Sequence, residues 1–129
     1  MLTRRVDITK KAQEVVKTLT KKYGIMLFYQ SGGCCDGSAP MIYPVSEFRI
    51  GDNDILVGKI ANCNFYMAKD QFKYWKHTHL TVDVLKTTAG GFSYEVPLGF
   101  KFVIRSRLFS KEEVDNLEDV FIGNEVYKS

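Results

Sequence analysis

Two adjacent cysteines stand in the run Ser31-Gly32-Gly33-Cys34-Cys35-Asp36-Gly37-Ser38. Three glycines in eight residues mark a loop, since glycine lets the backbone take a positive φ or come close to a ligand. A structural cysteine usually sits among apolar neighbours; here Gly33 and Gly37 strip that cover away and Asp36 is polar. The thiolate is the form that ligates or attacks, and loop amides can stabilise it. A disulfide between neighbours is strained, so ligation of a metal by one thiolate, or by both in different directions, is physically easier. His77 and His79 are the only histidines, and on a strand a spacing of two puts them on one side. Imidazole and thiolate together suit zinc or iron. The candidate metal ligands are therefore Cys34, Cys35 and His77. Asp36, Gly33, Gly37 and Glu95 are further binding positions, with His79 and Asp83 behind them. Two alternatives stay open: a thiol nucleophile at Cys34 or Cys35, and a tight turn with one cysteine facing inward.

Other patterns fall short. The glycine loop lacks the Gly-Lys-[Ser/Thr] ending of a phosphate loop. Asp52-Asn53-Asp54 begins like a calcium loop but runs into Ile55-Leu56-Val57 with no glutamate at the required spacing. No Cys-x-x-Cys pair is present, so neither a zinc ribbon nor a thioredoxin-type site is expected.

These residues need elements to hold them. Ile8, Ala12, Val15, Val16 and Leu19 recur at spacings of three and four, with lysines on the other face, so residues 7–23 read as a helix. Asp7 or Thr9 can cap its start and Gly24 its end. Residues 25–29 form an apolar run that reads as a buried strand leading into the cysteine loop. Pro40 and Pro44 bracket an edge strand, Met41-Ile42-Tyr43. Residues 55–60 and 65–68 flank Ala61-Asn62-Cys63-Asn64 as a hairpin. Asp70 is placed to cap a short helical turn carrying Phe72 and Trp75. Residues 79–86 alternate, with Leu80, Val82 and Val84 on one side. Ala89-Gly90-Gly91 turns into a short extended piece at 92–95, and Pro97-Leu98-Gly99 turns into a strand over 100–109. Ser110 and Glu113 form a capping box opening a helix to about Leu117, and the remainder reads as a turn or a frayed end. The expected fold is α+β: a mainly antiparallel β-sandwich or rolled sheet with an N-terminal helix and a short C-terminal helix.

The chain of 129 residues, 45% hydrophobic and 26% charged, has the make-up of one globular domain spanning 1–129. A disordered chain, a collagen and a coiled-coil rod are excluded. Three cysteines are too few for a disulfide scaffold. The basic first residues are followed by no apolar run, and no stretch approaches the ~18 residues of a membrane span. A cytoplasmic, bacterial-type protein is expected, with no membrane and no nucleic-acid partner: the net charge of +3 is spread over a helix face and residues 69–76. A homodimer fits the 13% aromatic content.

The stretch Phe28-Tyr29-Gln30-Ser31-Gly32-Gly33-Cys34-Cys35-Asp36-Gly37-Ser38-Ala39-Pro40-Met41 resembles the central signature of a small bacterial family of unknown function. Its genes are often found beside those of acetaldehyde and other aldehyde dehydrogenases. The resemblance continues through Phe48-Arg49-Ile50-Gly51-Asp52, residues 54–58 and 70–78, Gly90-Gly91-Phe92-Ser93-Tyr94-Glu95 and Arg105-Ser106-Arg107-Leu108-Phe109. It implies an accessory role in aldehyde or alcohol oxidation, with an aldehyde dehydrogenase as partner. A second resemblance is to the HesB-like A-type iron–sulfur carriers, through Gly33-Cys34, Leu80-Thr81-Val82-Asp83 and residues 91–97. It implies a related fold and a metal or iron–sulfur ligand. The carriers' C-terminal Cys-x-Cys has no counterpart, since no cysteine follows Cys63.

Overall fold

The computed structural model describes residues 2–30, 38–88 and 93–122, and the backbone of 125–127. The elements are β1 (Val6–Ile8), α1 (Lys10–Tyr23), β2 (Met26–Gln30), β3 (Met41–Pro44), β4 (Asp54–Ile60), β5 (Cys63–Ala68), α2 (Lys69–Trp75), β6 (Thr78–Lys86), β7 (Phe100–Leu108), α3 (Lys111–Val114), β8 (Val120–Ile122) and β9 (Glu125–Tyr127). Two sheets form, ordered β1-β6-β7 and β3-β2-β5-β4-β8-β9. β1 runs parallel to β6 and β2 parallel to β5; the other pairings are antiparallel. The α+β class and the mainly antiparallel arrangement are as expected. One core joins the sheets: Val6, Leu80, Val82, Phe102 and Ile104 of the first meet Phe28, Ile42, Ile55, Phe65 and Met67 of the second, all buried. Phe28 meets the Phe102 ring edge-on at 5.0 Å between centroids.

The helix α1 forms for the reasons its sequence suggests. The Thr9 hydroxyl accepts the Ala12 amide at 3.2 Å, and Ala12, Val15, Val16 and Leu19 are its buried residues. It stops at Gly24, whose φ of +85° is open to glycine at little cost and whose N–H reaches the Thr20 carbonyl. Its start is corrected, however. Residues 6–8 form a strand, because Val6 and Ile8 are β-branched and alternate with Asp7, and Val6 pairs with Leu80. Ile8 also fits the helical spacing, but it pairs with Val82 in β1 instead.

Four further boundaries differ from expectation. The β4–β5 turn is two residues long, because Ala61 and Asn62 both take positive φ, and Cys63 already belongs to β5. The N-cap of α2 is Ala68, which offers no side-chain bond, and Asp70 sits in the first turn. The segment 93–95 is a bend leading into a 3-10 turn at Val96–Leu98, not an extended piece. The helix opened by Ser110 ends at Val114, and the chain then adds β8 against β4, with Phe121 opposite Leu56. The strand-forming run Val120-Phe121-Ile122 is what pulls the chain back into the sheet.

β1 also lies against β4. The pairing of β4 shifts register between Leu56 and Gly58. A Cβ placed on Gly58 would lie 2.7 Å from Cγ1 of Val6, so a glycine is needed for this approach. No helix among the described residues is long and apolar enough to cross a membrane.

Candidate functional site

The site is built around two strand edges. β3 is the outer strand of the larger sheet and β7 that of the smaller one. An outer strand leaves alternate amides without a ladder partner. The Ile42 amide of β3 donates to the Ser93 hydroxyl at 2.9 Å, and the Phe102 amide of β7 donates to Glu95 Oε2 at 3.1 Å. The Ile104 amide donates to the Ser38 carbonyl at 2.7 Å. Between Ser93 and Glu95, Tyr94 hydrogen-bonds Glu47 and packs edge-on against Tyr23. Residues 93–95 thus form a strap joining the two sheets at their open edges.

Glu95 is 2% exposed, and its second oxygen, Oε1, is buried with no hydrogen-bond donor among the described residues. A carboxylate withdrawn from water normally has both oxygens satisfied, because each missing bond leaves its desolvation cost uncompensated. Its bonded amide lies two residues along β7 from the one that holds Ser38, a separation of roughly 7 Å at strand rise. Ser38 closes the cysteine segment, and Gln30, also buried, opens it at the end of β2. The Glu95 carboxylate therefore lies near Ser38, the residue at which that segment rejoins the described fold.

Cys34, Cys35, Asp36, Gly33 and Gly37 lie outside the described residues. His77 is exposed, just before β6, and its carbonyl accepts the Phe109 amide. Seven residues of β7 and its extension separate Phe109 from Phe102, roughly 23 Å, so His77 and Glu95 are at opposite ends of the β6–β7 ladder. His79 is buried with Nε2 2.7 Å from Asp7 Oδ2, beside the Phe109 ring. Asp83 is engaged by the Thr9 hydroxyl, the Val84 amide and Arg105. Burial works against its charge, but these hydrogen bonds win and hold the carboxyl below its ordinary range. Among the described residues, no three His, Cys, Asp or Glu side chains come together as a metal site.

The third cysteine has a different character. Cys63 is buried at the start of β5, and burial pushes its thiol up to about 11, against smaller opposing effects of a backbone hydrogen bond at Met26 and the Lys59 charge. It is a packing residue. Ser93 was the position that sequence reasoning passed over. Its only signal is its place two residues before Glu95 within Gly-Phe-Ser-Tyr-Glu.

A family model described as a domain of unknown function (DUF779) matches residues 15–108. No curated protein and no solved structure matches the chain.

Proposed function

The chain belongs to the DUF779 family, a domain of unknown function, and from this starting point we propose that the protein is a small metal-binding accessory factor for aldehyde oxidation. Cys34, Cys35 and Glu95 supply ligands to a zinc or iron ion. The observation that carries the reading is Glu95 Oε1, a carboxylate oxygen buried without a donor among the described residues, two strand positions from the amide that holds Ser38 at the end of the Gly/Cys segment. A cation beside it would remove the cost of that missing bond. Two thiolates and a carboxylate are a donor set that zinc and iron both accept. An ion held there would act as a Lewis acid toward a carbonyl oxygen. The chain's own contribution is positional. Phe102 fixes one carboxylate oxygen through its amide, and Ile104 fixes Ser38 at the end of the cysteine segment. His77 is left out of the ligand set because it lies at the other end of the ladder from Glu95. The link to an aldehyde dehydrogenase is supported by the resemblance carried by residues 28–41.

The test is elemental analysis and a visible spectrum of the full chain, purified without oxygen or added metal. Near-stoichiometric zinc or iron is expected, lost in Cys34→Ser and reduced in Glu95→Gln. A metal-free protein that also takes up neither ion on reconstitution would overturn the reading. If such a protein instead held one fast-alkylating cysteine, the loop would be a site of thiol chemistry. Co-purification with an aldehyde dehydrogenase tests the accessory role separately, and no binding and no change in dehydrogenase activity would remove it.

A further inference from the structure

A second feature lies away from the Gly/Cys segment. Between α1 and the end of the β6–β7 ladder is a cleft of about 690 Å3. Cavities of this size hold drug-sized ligands. Its apolar lining comes from Val15 of α1, Val84 and Leu85 of β6, Phe100 of β7 and Leu98 of the turn before β7. Leu85 and Leu98 are each 40% exposed, so apolar surface is left facing solvent here.

The charges beside this apolar surface are uneven. Lys11 and Lys86 both line the cleft, and neither makes an ion pair among the described residues. The one carboxylate among the described lining residues, Glu14, already has Lys17 at 3.5 Å. The cleft therefore offers an apolar body and an excess of uncompensated positive charge. A ligand that complements both is an amphipathic anion with an apolar chain and one charged end.

We infer that this cleft binds an aliphatic carboxylate, its chain on Val15, Val84, Leu98 and Phe100 and its carboxylate between Lys11 and Lys86. The inference is independent of the metal reading, because none of these residues belongs to the strap or to the cysteine segment. Decanoate is the probe, titrated calorimetrically into the full chain below its micelle concentration, with decyltrimethylammonium as the control of opposite charge. Saturable binding of one decanoate per chain is expected, with at least tenfold weaker binding of the cation. Reversing both lysines (Lys11→Glu with Lys86→Glu) should weaken decanoate about tenfold, since two exposed charge contacts are lost. Leu98→Asp, at an exposed turn position, should weaken it through the apolar wall. Circular dichroism confirms that the variants fold. No saturable binding of decanoate, equal binding of the two amphiphiles, or full affinity in the folded double-lysine variant would each overturn the inference.

Discussion

Gly58→Ala gives a sharp test of how β1 is seated on β4. The added Cβ would stand 2.7 Å from Val6 Cγ1, against ~3.5–4.0 Å for an unstrained carbon contact. About 1 Å of relief is needed, and little is available. Val6 is 1% exposed, its β-branched side chain is stiff, and its backbone is held opposite Leu80. Overpacking of this kind costs about 1–3 kcal/mol. The backbone at Gly58 is not in the left-handed region, so alanine recovers about 0.5–1 kcal/mol through a less free unfolded chain. The net loss should be about 1–2 kcal/mol, which lowers the melting temperature by about 3–8 °C for a domain of this length. Val6→Ala alone should cost about 1–2.5 kcal/mol through a cavity. Combined with Gly58→Ala, it leaves room for the new methyl, and the double variant should beat the sum of the singles by about 1 kcal/mol or more. Urea denaturation of the four proteins measures this cycle. A neutral Gly58→Ala, or strict additivity, would refute the close approach of β1 to β4.

Iodoacetamide at neutral pH should leave Cys63 unmodified in the folded protein and label it in urea, because burial holds its thiol at about 11; peptide mass mapping reads this directly. The Glu113 carboxyl is pulled down to about 2, first by the Arg107 guanidinium and then by the Ser110 amide. Its folded value lies below its unfolded one, so its stabilisation is complete above the ordinary carboxylate value of 4.5 and is lost as pH falls toward 2. Glu113→Gln should flatten the acid limb of stability over that window in urea melts at stepped pH. Arg5 packs its guanidinium 5.3 Å from the centre of the Phe72 ring and 5.9 Å from that of Phe109, and donates to the Lys76 carbonyl. Arg5→Ala should cost about 2–3 kcal/mol, with Arg5→Lys recovering only part of it in the same assay.

Much of the fold was legible because local signals agreed with tertiary demands. The spacing of Ala12, Val15, Val16 and Leu19, the Thr9 cap and Gly24 all specify α1, and the alternation of Leu80, Val82 and Val84 specifies the buried face of β6. The Ser110 capping box is complete, with Glu113 returning to the Ser110 amide. What was illegible depends on pairing at a distance. Val6–Ile8 is too short to announce itself as a strand and becomes one only because β6 offers an edge. Val120 to Ile122 needs β4 in the same way. At the candidate site, Glu95 was recognisable as a carboxylate in a suggestive stretch. Its burial and its grip on Phe102 come from two sheet edges meeting, which no local pattern encodes.

The strap at residues 93–95 couples two events that would otherwise be separate. The Ile42 amide belongs to one sheet and the Phe102 amide to the other, yet both are held by side chains two positions apart on one short bend. When that bend lifts, both amides meet water together, whereas the Ile104 amide stays with Ser38. In hydrogen exchange, Ile42 and Phe102 should therefore share one opening free energy and slow in step when anything binds Glu95. A pair of amides from different sheets would then report the occupancy of a single carboxylate.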